Sequence, residues 1–258
     1  MSYYNFFIDD NIMFLKEITE QRCSSLWEHF YLKNLRTLHE KYEAKFTLNL
    51  FFVDSSGEFT LNDFSERYFE EWQACSSWLK LSFHAYAERP SRAYAQTGER
   101  YNRLAEDYRL LKNSVLRFAP ADSFIAPVIV HFFDCDSPTD FEFLKDQGMK
   151  VFSVRAPEHD RLTYAPDKGV AVTGVELFCN LLTVTEIREK LSQSIAEEKE
   201  YLNIGTHEQY FYPDYQKYLP DHFDRLEAAL EILHTNGYQS VFFNQFFSRQ
   251  VKELKNLC

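Results

Sequence analysis

The stretch Tyr3-Tyr4-Asn5-Phe6-Phe7-Ile8-Asp9-Asp10 is a short apolar run that ends in two adjacent carboxylates. A run of this length and composition is typical of a buried β-strand. Neighbouring side chains of an extended chain point in opposite directions, so the two acids cannot both be buried without partners. A metal, a shared proton or exposure to solvent explains such a pair, and the pattern equally allows Asp9 and Asp10 to cap the following helix.

Similar runs recur along the chain and alternate with stretches of helical spacing. The second kind is illustrated by Phe223, Leu226, Ala229, Leu230 and Leu233, which repeat mostly at three and four residues and indicate an amphipathic helix. Eight runs are candidate strands: 3–10, 45–54, 79–84, 128–133, 150–155, 177–184, 201–206 and 238–243.

This alternation predicts a mainly parallel sheet covered by helices, because parallel strands need crossover connections. We expect a closed or nearly closed α/β barrel first and an open doubly wound sheet second. The 258 residues, 45% of them hydrophobic, predict a single domain spanning residues 1–258. The segment 156–174, with two prolines and two glycines, is predicted to be the one long irregular insert.

Composition disfavours several classes of function. A formal net charge of −11 opposes binding to nucleic acid and to anionic membranes. The chain has no run of about 20 apolar residues and does not begin like a signal peptide, which favours a cytoplasmic location. Five cysteines without a Cys-x-x-Cys pair predict reduced, mostly buried thiols. The glycine motifs of nucleotide-binding folds are absent from the sequence.

Polar residues at the ends of the candidate strands are the candidate site, because parallel α/β folds build their sites there. His84 and Glu88 are four residues apart, so one helical turn would place an imidazole and a carboxylate together, as a divalent metal requires; a plain hydrogen bond between them is the alternative. His131 lies in an apolar run that Asp134 and Asp136 follow. No Gly-x-Ser-x-Gly motif presents a serine nucleophile.

The segment Thr206-His207-Glu208-Gln209-Tyr210-Phe211-Tyr212-Pro213-Asp214-Tyr215 is the most distinctive in the chain. Its His-Glu pair is not a zinc-protease motif, because residue 211 is Phe where the second His must stand. Together with Phe7-Ile8-Asp9-Asp10 and Leu81-Ser82-Phe83-His84, it resembles an uncharacterised bacterial branch of the polysaccharide deacetylase (NodB-like) superfamily.

This resemblance implies a distorted (β/α)7 barrel and metal-assisted hydrolysis of the C–N amide bond on an N-acetylated sugar or short oligosaccharide. By position, Asp9 matches the general base that activates water, and His207 matches the acid that protonates the leaving amine. Asp10 and His84 match metal ligands, with Glu88 where the family has a second histidine. The metal is expected to be zinc, with manganese or iron as alternatives. The residues expected to contact substrate are Tyr86, His131, Asp134, Glu208 and Tyr210.

Departures from the family pattern leave two other functions open. Glu88 and the absence of the Arg-Pro-rich segment that braces the base are compatible with a carbohydrate-binding protein that has lost catalysis. His131, Asp134 and Asp136 lie near the place of that segment and can line the pocket or supply a replacement ligand. A glycosidase using Asp9 or Asp10 paired with Glu208 is the third possibility.

Overall fold

The computed structural model describes residues 1–88, 100–133, 138–154 and 161–247. The predictions for Asp134, Cys135, Asp136 and Cys258 lie outside these residues. Within the described ranges, the ten strands are β1 (Tyr3–Asn11), β2 (Phe46–Phe51), β3 (Leu79–Ala85), β4 (Phe124–Ile125), β5 (Val151–Ser153), β6 (Thr163–Ala165), β7 (Val170–Thr173), β8 (Leu177–Phe178), β9 (Tyr201–His207) and β10 (Gln239–Ser240).

The main sheet is parallel throughout and confirms the predicted fold class. Its strands follow the order β4-β3-β2-β1-β9-β8, and the short β10 also pairs with the start of β1. Within the described residues, strand pairing does not close this sheet into a complete barrel. The arrangement is that of an open, distorted barrel with β1 at its centre.

In the part of the chain that the structure describes, eight α-helices accompany the strands, most of them as crossover connections. They are α1 (Met13–Glu20), α2 (Phe30–Tyr42), α3 (Phe69–Cys75), α4 (Arg100–Phe118), α5 (Pro138–Asp146), α6 (Val184–Ala196), α7 (His222–Thr235) and α8 (Phe243–Phe246). As predicted, residues 223–233 are helical, and Gly237 follows the end of α7 with a φ of 74°. Among the described residues, no helix has the length and apolar character needed to span a membrane.

The central strand β1 is buried on both faces, as its apolar composition requires. Tyr4, Phe6 and Ile8 belong to the large hydrophobic core, whereas the alternate residues Asn5 and Asp9 carry the polar groups. The residues of β9 that pair with Asn5 and Asp9 are also polar. Asn5 donates a hydrogen bond to Asn203, and Asp9 pairs in register with His207. This face of the sheet therefore leads from a buried amide pair to the candidate site.

Phe7 lies between these two polar levels and explains the glycine opposite it. Gly205 is its register partner on β9, and a β-carbon at residue 205 would overlap the Phe7 ring. The absence of a side chain at Gly205 lets the ring of Phe7 fill the interior, where it also packs edge-on against Phe178.

A small second sheet, of order β5-β7-β6, lies beside the main sheet. The side chain of Asn244 connects the two regions. The amide of Asn244 donates to the carbonyls of Ala126 and Pro127 at 2.9 Å and accepts from the amides of Lys150 and Val151 at 2.7 Å. Asn244 thus supplies the hydrogen bonds that a further strand pairing would otherwise provide.

Four predicted elements are wrong. The run 238–243 contains only the two-residue β10, because α8 begins at Phe243. Residues 128–133 are not a strand: β4 lies earlier, and His131–Phe133 forms a 3₁₀ turn. The run 177–184 contains only the two-residue β8, because a 3₁₀ turn follows and α6 begins at Val184, where the capping box of Thr183 and Glu186 starts the helix. The segment 156–174 is not an irregular insert throughout, since it contains the antiparallel pair β6 and β7.

Three of the predicted buried thiols fall on described residues. Cys23, Cys75 and Cys179 are all buried and reduced. Burial raises the pKa of Cys75 and of Cys179 to about 12, so these two sulfurs are protonated and unreactive.

Candidate active site

Asp9 and Asp10 end the apolar part of β1, where the chain leaves regular pairing. The register with β2 shifts between Ile8 and Asn11, and Asp10 has a φ of 63°, in the left-handed region that non-glycine residues rarely occupy. This conformation breaks the strand's alternation, so both carboxylates reach the same site. Such local strain is found preferentially at functional sites.

Asp10, His84 and His131 converge on one point. Asp10 Oδ1 lies 3.1 Å from His84 Nε2 and 3.9 Å from His131 Nε2. One ligand atom from each of the three residues lies within 4.8 Å of the others, a spacing that can accommodate a metal ion. The Asp10 oxygen at this point, Oδ1, is buried without a hydrogen-bond partner.

The donor set fits a divalent metal. One carboxylate and two imidazoles are a common catalytic zinc set, and the same donors suit iron or manganese. A buried carboxylate oxygen without a hydrogen bond is costly, and coordination would satisfy Asp10 Oδ1. Burial, followed by repulsion from His84, lowers the pKa of His131 to about 3, so its ring is neutral and its lone pair is available to a metal at neutral pH.

The two carboxylates have opposite protonation properties. Burial raises the pKa of Asp9 above its usual range, against the opposing effect of His84 and His207. Burial also acts to raise the pKa of Asp10, but the close contact with His84 and the charge of that ring outweigh it and leave the pKa of Asp10 below the usual range. Asp10 is therefore suited to remain an anionic ligand, and Asp9 to exchange a proton.

Asn49 and His84 hold Asp9 in place. The amide of Asn49 donates to Asp9 Oδ1 at 2.7 Å, and His84 Nδ1 lies 3.7 Å from the same oxygen. His84 thus lies between the two acids, since its other nitrogen faces Asp10. Burial lowers the pKa of His84, but the Asp9 charge and the contacts with Asp10 raise it more, and the net shift is upward.

His207 ends β9 beside Asp9 and has its own hydrogen-bonded support. Its Nδ1 bonds to Asn180 Oδ1 at 3.0 Å, and its ring stacks on Phe178. The hydroxyl of Thr206 lies 3.3 Å from the same Asn180 oxygen and 2.8 Å from His222 Nε2. Because the hydroxyl has one proton to donate, all three bonds are satisfied when His222 donates to Thr206 and Thr206 donates to Asn180. Asn180 then accepts from His207 Nδ1, which leaves Nε2 free for chemistry.

Glu208 has a structural position that differs from the prediction. Its carboxylate is fully buried and accepts hydrogen bonds from the amides of Ile12, Met13 and Phe14 at 2.6 to 2.9 Å. It therefore caps the N-terminus of α1, immediately after the Asp9-Asp10 turn. The hydroxyl of Tyr212 also donates to it. With both oxygens occupied, Glu208 is not available to a bound sugar in this structure.

Gln209, the residue after Glu208, directly contacts the candidate metal ligand Asp10. Its side-chain amide donates to Asp10 Oδ2 at 2.8 Å, so the second carboxylate oxygen is fixed while Oδ1 faces the two histidines. Such contacts orient metal ligands and keep them in the productive rotamer.

Glu88 does not join the cluster, although the sequence indicated it as the third ligand. The prediction assumed one helical turn between His84 and Glu88, but His84 lies within β3. Four residues of extended chain span about 13 Å, against about 6 Å for one helical turn. Among the described residues, the group with metal-ligand spacing contains His131 in place of Glu88.

A recess of about 300 Å³ opens beside Asp10, at the lower end of the usual size for small-molecule sites. Its described lining carries five carboxylates and one ammonium group, Lys16, whose Nζ is already paired with Asp54 at 2.7 Å. The five acids are Asp10, Glu17, Glu20, Asp54 and Glu88.

The remaining predicted residues lie around this site at different distances. The Tyr210 ring centre is 6.1 Å from that of His207, whereas Tyr86 packs on Phe52 at the edge of the core.

Sequence reasoning missed the amide residues Asn49, Asn180 and Gln209. Gln209 lies within the distinctive His-Glu-Gln segment, but Asn49 and Asn180 stand in otherwise apolar runs, and that isolation was the available signal.

No family model matches the sequence, and neither does any curated protein. Similarity appears among solved structures. The chain aligns over 96% of its length with 91% of a T48 deacetylase, at 9% identity and a TM-score of 0.51. It aligns equally far with the Xyl-CE4 domain of a multidomain xylanase from the hindgut metagenome of Trinervitermes trinervoides, at 11% identity and a TM-score of 0.51.

A 4-alpha-glucanotransferase from Thermococcus litoralis has a TM-score of 0.60 and 12% identity, and the chain covers 96% of itself but 40% of that protein. At these identities the likeness establishes the fold alone. The predicted polysaccharide-deacetylase-like fold is thus confirmed. The names of the similar structures include both hydrolysis of acetyl groups and transfer of sugars, so the function has to be argued from the site.

Proposed function

We propose that this protein is a metal-dependent deacetylase of an N-acetylated sugar or short oligosaccharide. The observation that carries the proposal is the convergence of Asp10, His84 and His131 beside Asp9, with the buried Asp10 Oδ1 lacking a hydrogen-bond partner at their common point. Three protein ligands with an adjacent carboxylate is the composition of a hydrolytic metal site rather than a closed structural one.

Asp10, His84 and His131 would hold the ion, with zinc the first choice. When bound, a divalent metal polarises the amide carbonyl and increases the acidity of water. Asp9 accepts the proton of the attacking water at its carboxylate, whose raised pKa brings its basicity closer to neutral pH. The imidazolium form of His207 donates its Nε2 proton to the departing amine nitrogen, while Asn180 accepts from Nδ1 and fixes the ring.

The charge of the recess favours one class of sugar. Its five carboxylates and single paired lysine repel uronates, phosphorylated sugars and nucleotide sugars. A neutral acetylated sugar, or an amine-bearing product of its deacetylation, meets no such repulsion. We therefore propose neutral N-acetylhexosamine units as substrates, and free acetate with a hexosamine as products.

The glycosidase alternative lacks its second carboxylate. It required Glu208 to face the scissile bond with Asp9 or Asp10, and Glu208 is occupied by three backbone amides and Tyr212. The binding-protein alternative rested on Glu88 in place of a metal ligand and on the missing Arg-Pro-rich segment. The first of these arguments weakens because His131, and not Glu88, belongs to the group with metal-ligand spacing.

Acetate release from N-acetylglucosamine oligomers, with zinc, manganese or iron supplied and with a chelator, tests the proposal. Wild type should release acetate only when loaded with metal. Asp9→Asn should lose roughly 100- to 10,000-fold in turnover while it retains metal, because only the proton acceptor is removed. Asp146→Asn, an exposed aspartate at the end of α5, is the matched control and should behave as wild type. Full activity of Asp9→Asn, or acetate release in chelator, would reject the mechanism.

A further inference from the structure

Of the aromatic residues whose exposure the structure describes, Phe132 is the most exposed one beside the candidate site. Its side chain is 60% exposed, although it directly follows the buried His131. Large exposed apolar side chains next to a polar site commonly contact ligands. His131 belongs to the candidate metal-binding group, and the exposed ring of Phe132 directly follows it in the chain.

The backbone presents Phe132 at an energetic cost. Phe132 and Phe133 have φ values of 56° and 57°, two consecutive left-handed residues without a glycine or asparagine. This conformation is unfavourable for a side chain with a β-carbon. A turn with glycine at residue 132 would relieve the strain, so an aromatic ring retained there indicates a use for the ring.

One face of the Phe132 ring packs against the ring of His131. The Phe132 and His131 ring centres are 3.9 Å apart, with an angle of 28° between the planes, so Phe132 stacks on a metal-binding imidazole. Phe51 packs on His131 at 5.1 Å in an edge-on contact and lines the recess. Phe132 does not line the recess. His131 thus separates the recess from the Phe132 ring.

We infer that Phe132 is an aromatic platform for the sugar unit next to the reacting one. The apolar face of a pyranose ring stacks on an exposed aromatic ring, and the recess beside Asp10 receives the acetylated unit. The inference rests on the proposed function for the identity of the ligand. It adds that the substrate is at least a disaccharide, because one sugar cannot occupy both the recess and the ring beyond His131.

Calorimetry with N-acetylglucosamine, its dimer and its tetramer tests this inference without requiring turnover. Wild type should bind the dimer and tetramer more tightly than the monomer. Phe132→Leu, which keeps an apolar side chain but loses the ring, should bind the two oligomers about fivefold to tenfold more weakly and the monomer as wild type does. Phe132→Trp should restore oligomer binding.

Phe132→Gly separates binding from folding. It should bind like Phe132→Leu, while its thermal unfolding temperature equals or exceeds that of wild type because glycine accepts the left-handed conformation. Equal affinity of wild type for monomer and oligomers, or an equal loss for all three ligands in Phe132→Leu, would overturn the platform. Length-dependent binding without acetate release would reject the proposed reaction and leave the platform standing.

Discussion

Two buried polar clusters of this protein differ in how completely their hydrogen bonds are satisfied. Around Asn244, the side-chain amide uses both donors and its acceptor on four backbone groups. Around Asp10, the carboxylate oxygen that faces the two histidines is buried without a hydrogen-bond partner. A satisfied cluster stabilises the fold, whereas an unsatisfied cluster reserves its atoms for a ligand. Substitutions in the two clusters should therefore affect different measurements.

The largest effect is expected at Asp10. Asp10→Asn should abolish metal retention through gel filtration, because the anionic ligand is replaced by a neutral amide. Gln209→Ala removes the amide that holds Asp10 Oδ2 and should weaken metal binding by about 10-fold, as is usual for residues that orient a ligand. Metal titration of both variants checks the order. Equal affinity of Asp10→Asn and wild type would contradict the assignment of Asp10.

Asn244→Ala should instead lower the free energy of unfolding, by about 3 to 4 kcal/mol, because four buried backbone groups lose their partner. Its metal affinity should equal that of wild type. Asn236→Ala is the matched control, since its exposed amide makes one local bond to Ile232, and it should change the free energy by less than about 0.5 kcal/mol. Similar denaturation midpoints for the two variants would contradict the proposed role of Asn244 in connecting the main sheet with the second sheet.

His222 is an intermediate case, with Nε2 bonded to Thr206 and Nδ1 buried without a partner. Burial lowers the pKa of His222 to about 3. The unfolded chain therefore binds the proton more readily, and stability present above about pH 6.5 is lost as the pH falls towards 3. Between pH 6.5 and 4.5, this residue should account for about 2 to 3 kcal/mol of the loss in wild type.

Denaturant titration across that pH range checks the prediction. His222→Gln should show a flatter pH dependence, because its side chain does not titrate. His234→Gln, which replaces an exposed histidine on the same helix, should keep the wild-type slope. A wild-type slope in His222→Gln would show that the buried ring is not the group that loses stability.

The smallest effect concerns the charge of the recess. Glu20→Gln removes one exposed carboxylate from the lining and should weaken binding of a glucosamine oligomer by about twofold to threefold at low salt, with no change at high salt. Glu189→Gln removes the same charge from an exposed position on α6 and should change neither value. Identical affinities of the two variants at low salt would mean that the recess charge does not act on the sugar.

The sequence predicted the centre of the sheet better than its periphery. The strands β1, β3 and β9 are continuous buried runs bounded by polar residues, so their apolar length nearly equals their paired length. The run 128–133 is equally apolar, but Val128 accepts a hydrogen bond from Ser153 and the chain then turns at Phe132 through left-handed conformations. Nothing in a Phe-Phe pair signals that turn, because glycine or asparagine usually marks it.

In the candidate site, too, some residues were predicted from the sequence and others were not. Asp9, Asp10 and His84 were predicted because the ends of parallel strands meet at one edge of a sheet. The third member of the metal group depended on whether the chain after His84 is helical or extended, a local choice that the spacing of His84 and Glu88 alone does not determine. Support by Asn49 and Asn180 depends on strand register, which single-sequence periodicity does not specify.

Zinc affinity of wild type, His131→Ala and Glu88→Ala, measured side by side by calorimetry, tests the central claim most directly. If Asp10, His84 and His131 form the metal site, His131→Ala should lose at least about 100-fold in affinity, and Glu88→Ala should bind zinc as wild type does. Loss of binding in Glu88→Ala with retention in His131→Ala would restore the ligand set that the sequence spacing indicated and contradict the site described here.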